Sequence, residues 1–151
     1  MANGRPNLVF VFPDQFRQQS LGCMSQDPVV TPNFDRFAAR SRVLTHAVSN
    51  RPVCSPYRAM LFTGKYPHAN GVLTNCNSDT VQYDCYLRDT DRCLTDILHD
   101  ADYSQGYIGK FHLDPPTDAH SEYTEGPRGD GKIWDTYTAP GPRRHGIDFW
   151  H

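Results

Sequence analysis

The segment of residues 7–12 constrains the fold more than any other part of the sequence. Its last five residues are continuously apolar and rich in β-formers, and Pro13 then ends the run. A short, uninterrupted apolar run of this kind is typical of a parallel strand that is buried on both faces. The sequence therefore predicts an α/β protein in which Asp14 and Gln15 follow the carboxyl end of a central strand, where open sheets bind ligands.

The other elements follow from capping residues and from the spacing of apolar side chains. Pro32 stands at the first position of one predicted helix, and Gly64, which lacks a Cβ and suits a left-handed cap, ends another. Residues 71–88 and 115–144 show no period and are predicted to be loops, the first of them on the surface. The predicted helices span 31–40, 55–63 and 91–100, and the predicted strands span 7–12, 43–48 and 103–108.

The composition limits the classes of function. The chain has 151 residues and a formal net charge of −2, so it can form one domain but has no basic field to attract nucleic acid. Its apolar runs are far shorter than the ~20 residues of a membrane helix, and no signal peptide is visible, which favours a cytoplasmic location. Five cysteines without a CxxC pair argue against a disulfide framework or a cysteine redox protein.

The most informative motif is Cys54-Ser-Pro-Tyr-Arg58, with Thr63 and Gly64 following it. Cys54 lies at the start of a predicted helix, where unpaired amides and about half a positive charge favour an anion. Arg58 lies one turn further on the same face and adds a permanent charge. The motif resembles the C-x-P-x-R…TG signature of type I sulfatases, which belong to the alkaline phosphatase superfamily.

The resemblance implies a chemistry for Cys54. In that family a maturation enzyme oxidises the cysteine to formylglycine, and the hydrated aldehyde attacks a sulfate ester. The opening at residues 6–11, followed by Asp14, is similar to the sulfatase segment that supplies ligands to a divalent cation, Ca²⁺. The implied metal ligands are Asp14, the modified Cys54 and Gln15, which stands where many members have a second Asp; an amide oxygen also binds a hard cation.

A third motif, Gly109-Lys-Phe-His-Leu113, resembles the G-K-W-H-L element of the same family, with Phe111 in place of Trp. The match implies that Lys110 contacts the substrate sulfate and the formylglycine. It also implies that His112 takes a proton from the second hydroxyl, so that the sulfated diol collapses to aldehyde and sulfate. Histidine suits such proton transfer near neutral pH.

The resemblance covers nearly the whole chain but only the first part of the family's fold. It implies an α/β, alkaline-phosphatase-like mixed sheet flanked by helices, of which residues 1–151 are the N-terminal part of a single catalytic domain. The expected substrate is a small-molecule or carbohydrate sulfate ester, and the 151-residue chain alone is expected to be inactive.

Two alternatives stay open at this point. A phosphonate monoesterase or phosphodiesterase of the same superfamily can share the formylglycine motif. A non-catalytic fragment or binding module is favoured by the short length and by Gln15.

Overall fold

The computed structural model describes residues 4–116, 129–134 and 136–151. The chain divides into two compact units, residues 1–48 and 49–151. The helices are α1 (Pro32–Ala38), α2 (Cys54–Thr63), α3 (Pro67–Asn70) and α4 (Leu94–Asp100), and the strands are β1 (Gly106–Tyr107) and β2 (Phe149–Trp150). Short 3-10 turns lie at Gln18–Ser20, Gly22–Met24, Val81–Tyr83 and Pro142–Arg144.

Helix α1 of the first unit was predicted from the sequence, and it begins at Pro32 as expected. Side chains at the start of α1 accept hydrogen bonds from the 3-10 turn at Gly22–Met24. The Gly22 amide donates to Thr31 Oγ1 at 2.7 Å, and the Cys23 amide donates to Asp35 Oδ1 at 2.9 Å. The two phenylalanines of α1 remain more than half exposed, so the predicted apolar face is not packed.

Two predicted strands of the first unit are wrong. Within the described part of the chain, neither residues 7–12 nor residues 43–48 form a strand. Val9 and Val11 are 85% and 80% exposed, although the sequence predicted that they are buried. A strand requires a neighbour that completes its ladder of hydrogen bonds, and the elements described in this unit are one helix and two 3-10 turns. Asp14 therefore follows an exposed apolar segment and not a buried strand.

The core lies in the second unit, where an aromatic cluster packs against α2. The Phe62 ring of α2 meets Phe111 edge to face at 5.4 Å between centroids, and Phe111 meets Trp150 at 4.9 Å. Strands β1 and β2 pair in parallel, with Tyr107 opposite Trp150. The predicted strand at 103–108 is thus confirmed only at residues 106–107, and hydrogen bonds from Arg58 and Ser55 of α2 hold the segment 109–113 beside that helix.

The segment of residues 71–88 is irregular as predicted, but it lies only partly on the surface, where Leu73 and Tyr83 are exposed. Val72 and Cys76 are fully buried in the core of the second unit. The backbone can turn inside the protein because Asn77 Oδ1 accepts hydrogen bonds from the Asp79 and Thr80 amides at 2.9 and 3.2 Å. Such side-chain turns satisfy buried polar backbone without a periodic pattern.

Helix α2 ends as the sequence predicted. Gly64 has φ of 66°, and its amide closes the last turn by donating to the Met60 carbonyl. Helix α4 is shorter than the predicted 91–100, because the chain before Leu94 is extended. Of the predicted loop at 115–144, residues 117–128 and 135 lie outside the described residues. No helix in the described ranges combines the length and the apolar character that a membrane span requires.

Candidate active site around Cys54

Cys54 is the first residue of α2, as predicted, and its side chain is partly buried. The preceding Val53 is extended, and no side-chain hydrogen bond caps the helix from that residue. The next amide, that of Ser55, donates to Asn75 Oδ1 at 3.1 Å. Cys54 therefore stands where the partial positive charge of a ten-residue helix stabilises an anion.

Lys110 meets Cys54 although 56 residues separate them in the chain. Its Nζ atom lies 3.4 Å from Cys54 Sγ. Gly109 makes this approach possible, because its φ of 108° lies in the region that side chains other than glycine rarely adopt. A lysine ammonium at this distance stabilises negative charge that develops on the side chain at position 54.

Arg58 is buried, with only 4% of its surface exposed. Its Nη1 atom donates to the Tyr107 hydroxyl at 3.2 Å and also to the Lys110 carbonyl. The Tyr107 hydroxyl in turn donates to that carbonyl, and burial raises the pKa of Tyr107 so that the proton stays in place. Arg58 thus fastens α2 to the segment that carries Lys110.

His112 is fixed through both its backbone and its ring. Its φ of 54° is left-handed, which is uncommon outside glycine. Its carbonyl accepts a hydrogen bond from Ser55 Oγ at 2.7 Å, and its ring Nε2 lies 2.9 Å from the Cys76 carbonyl oxygen. A carbonyl oxygen only accepts, so Nε2 carries the hydrogen, and Nδ1 is the atom of the neutral ring that can take up a proton.

A cavity of about 450 Å³ borders the segment that carries Lys110 and His112. The described residues that line it include Lys110, His112, Trp134 and Tyr137. The volume falls in the range of small-molecule sites, roughly 300–1,000 Å³, and the lining combines aromatic surface with cationic and proton-accepting groups. The two candidate catalytic side chains of the 109–113 segment therefore face a space in which a small anionic ester can bind.

The two predicted metal ligands of the first unit, Asp14 and Gln15, are adjacent and exposed. Gln15 has a left-handed φ of 52°. A carboxylate and an amide carbonyl are hard oxygen donors of the kind that Ca²⁺ or Mg²⁺ prefers. Their donor chemistry therefore fits the predicted divalent cation, whereas Cys54, the third predicted ligand, belongs to the second unit.

A second cluster, Cys93 with Asp96 and His145, has ligand atoms within 4.8 Å of one another. Its contacts are those of a helix cap: the Cys93 amide donates to Asp96 Oδ2 at 2.8 Å, and His145 Nδ1 lies 3.3 Å from the same oxygen. Burial, with the carboxylates of Asp96 and Asp91, raises the pKa of Cys93 to about 12. Because Asp96 Oδ2 already accepts from the Cys93 amide and lies beside His145 Nδ1, we interpret the cluster as a structural cap.

The sequence did not single out Ser55, Asn75 or Tyr107, although each binds one of the candidate site segments. Ser55 occupies a variable position of the C-x-P-x-R pattern, and Asn75 lies in a segment without a period. Tyr107 lies in the predicted strand, where an aromatic residue is ordinary. Nothing local marks these residues, because their partners are about 20 to 57 residues away in the chain.

Comparisons with known proteins find matches that cover most of this chain. The family model described as Sulfatase matches residues 6–141. The chain is 44% identical to an Endo-4-O-sulfatase of Bacteroides thetaiotaomicron, with 97% of this chain and 30% of that protein covered. It is 36% identical to an Ulvan-active sulfatase of Formosa agariphila, with coverage of 97% and 24%. The solved structure of yidJ from Bacteroides fragilis matches with a TM-score of 0.87 and 43% identity, over 95% of this chain and 30% of that chain. The chain thus spans less than a third of each of these proteins.

Proposed function

Because the chain belongs to the sulfatase family, we propose that the full-length protein hydrolyses sulfate esters and that Cys54 is the precursor of its nucleophile. One observation carries the proposal: Lys110 Nζ lies 3.4 Å from Cys54 Sγ at the N-terminus of α2. A sulfate ester carries its negative charge on the oxygens, so a nucleophile reaches sulfur only where positive charge surrounds the site. The helix terminus and the lysine provide such a place.

Once a maturation enzyme has oxidised it to formylglycine, the side chain at position 54 supplies a hydrated aldehyde as the nucleophile. In our proposal Lys110 binds the sulfate and holds negative charge at position 54. Arg58 adds a second positive charge one turn along α2, and its hydrogen bond to the Lys110 carbonyl fixes the backbone that carries the ammonium. Both cations are therefore in place before the substrate arrives, which is the arrangement that stabilises a transition state most effectively.

His112 is the proposed base. Its Nε2 hydrogen bonds to the Cys76 carbonyl, so the proton that it accepts goes to Nδ1. In this role His112 takes a proton from the second hydroxyl of the sulfated diol at position 54; the C=O bond of the aldehyde forms as the C–O bond to the sulfate group breaks, and sulfate leaves. An imidazole suits this step because its ordinary pKa lies near neutral pH.

Asp14 and Gln15 are the proposed ligands of the divalent cation that the family implies, together with the modified side chain at position 54. The assignment rests on the family resemblance and on the oxygen donors of these two side chains. We propose Ca²⁺, because a carboxylate and an amide carbonyl are typical calcium ligands. The cation would neutralise sulfate oxygens, a task that it shares with Lys110.

We propose that the substrate is a carbohydrate sulfate. One relative is named for endo-acting 4-O-desulfation and another for activity on ulvan. The cavity beside Lys110 and His112 supports this class, because it exposes Trp134 and Tyr137, and aromatic surface combined with polar groups gives both apolar and hydrogen-bonding contacts.

The proposal predicts that Lys110→Ala and His112→Ala each lower kcat/KM for a sulfate ester by at least about 10²-fold in the full-length protein. Lys65→Ala and His68→Ala are matched controls, because both side chains are exposed near the opposite end of α2. These controls should retain the wild-type rate. Initial rates with an aryl sulfate and with a sulfated oligosaccharide give the measurement.

The same assay separates the proposed function from its nearest alternative. An aryl phosphate diester with the same leaving group should react much more slowly than the aryl sulfate. A preference for the diester would replace sulfate hydrolysis by phosphodiester hydrolysis. Near-normal sulfate turnover by either of the two alanine variants would instead show that its residue has no part in the chemistry.

A further inference from the structure

Ser55, the residue after Cys54, joins three segments of the second unit. Its Oγ atom donates to the His112 carbonyl at 2.7 Å and accepts from the Cys76 amide at 3.0 Å. Its own amide donates to Asn75 Oδ1 at 3.1 Å. The side chain is completely buried. A hydroxyl is suited to this place because it donates and accepts at the same time.

Ser55 and Cys76 together hold His112 in place. The backbone of Cys76 contacts both residues. Its amide donates to Ser55 Oγ, and its carbonyl oxygen lies 2.9 Å from His112 Nε2. Ser55 therefore fixes the backbone of His112, while the Cys76 carbonyl fixes the ring. His112 has a left-handed backbone, and such a conformation persists only where its surroundings hold it.

We propose that Ser55 is a positioning residue that sets the location of the His112 ring relative to the side chain at position 54. Ser55 is covalently attached to Cys54 and hydrogen bonded to His112, so one residue connects the nucleophile to the base. The inference rests on the proposed function, because it requires His112 to move a proton at the group derived from Cys54. Ser55 touches neither substrate nor reacting atoms and acts only through His112.

The test is a double-variant cycle in the full-length protein, with Ser55→Ala, His112→Ala and the combination of both. Ser55→Ala removes the hydroxyl, and we expect kcat to fall about 10- to 10²-fold while KM changes less than about 3-fold, because a small displacement of a catalytic group is enough to lose this much rate. In the His112→Ala background, Ser55→Ala should cause no further loss, because residues that act as a unit are not additive.

Thr63→Val is the matched control. Its hydroxyl also bonds to several groups, donating to the Ala59 carbonyl at 2.6 Å and accepting from the Lys65 amide at 3.2 Å, but it lies at the other end of α2. This variant should lose stability without a change in kcat. Ser55 adjoins Cys54, so a substitution there also affects how much Cys54 is converted to formylglycine. Every rate is therefore divided by the converted fraction of the protein, measured by mass spectrometry.

Ser55→Cys is the second variant, since a thiol of similar size retains a weak donor and acceptor. We expect its kcat to lie between those of Ser55→Ala and wild type.

The inference is overturned if Ser55→Ala keeps the wild-type kcat, or if it slows the His112→Ala protein by the same factor as it slows the wild type. It is also overturned if neither Ser55 variant folds while Thr63→Val does, because Ser55 is then a residue of stability alone. Wild-type activity in His112→Ala alone would contradict the proposed role of His112 and not the contacts of Ser55.

Discussion

Cys54→Ala is expected to reduce sulfate ester hydrolysis by the full-length protein at least about 10⁴-fold, because it removes the group that becomes the nucleophile. The fold should survive. Cys54 is only partly buried, and alanine is favourable in the first turn of α2. Activity and thermal unfolding of the variant, measured on the same preparation, separate loss of chemistry from loss of structure.

Cys23→Ala is the control for this variant, because Cys23 is an exposed thiol in the first unit. It should keep the wild-type rate and the wild-type melting temperature. Substantial turnover by Cys54→Ala would mean that another group attacks the ester. In that case the positive environment at the start of α2 would need a different explanation.

The second large effect concerns the 151-residue chain by itself, which we expect to turn over sulfate esters at least about 10³-fold more slowly than the full-length protein. The first reason is the cation: Asp14, Gln15 and the modified residue 54 offer three ligand positions, whereas Ca²⁺ takes about 6–8 oxygens. Without a tightly bound cation, several kcal/mol of charge stabilisation in the transition state are lost. The positive charge of Lys110 alone does not replace a divalent ion.

The second reason is packing. The buried hydrophobic residues of the described ranges all lie in the second unit, whereas Val9, Val11 and Val30 of the first are 80–89% exposed. Exposed apolar segments favour association of the chain. We therefore expect a broad unfolding transition by circular dichroism, weak Ca²⁺ binding by calorimetry and a tendency to aggregate. A cooperatively folding monomer that binds Ca²⁺ tightly and turns over an aryl sulfate would contradict this expectation.

The sequence predicted those elements whose signals are local. Pro32 at the start of α1 and Gly64 after α2 specify helix ends within a few residues, and both helices are present. The strands at 7–12 and 43–48 were wrong because pairing depends on a neighbouring strand that the described chain does not supply. The wider prediction of an α/β, alkaline-phosphatase-like fold came from the family resemblance, and the match to solved sulfatase-family structures confirms it.

The same distinction applies to the candidate site. Motifs indicated Cys54, Arg58, Lys110 and His112, and the structure places Lys110 beside Cys54. The hydrogen bonds that hold these residues were not predictable, because the partners of Arg58 and of Ser55 are about 20 to 57 residues away in the chain. The burial of Val72 and Cys76 in the segment 71–88 was missed for a related reason: side-chain turns satisfy the backbone there and leave no periodic pattern.

If Cys54 becomes the nucleophile, the mass of the peptide that contains it must change when the protein matures. The full-length protein is produced together with a formylglycine-generating enzyme and digested, and its peptides are weighed. We expect the peptide with Cys54 to show the mass loss of thiol-to-aldehyde conversion, while those with Cys23, Cys76, Cys85 and Cys93 keep their thiols. An unmodified Cys54, in cells where a control sulfatase is fully converted, would contradict it.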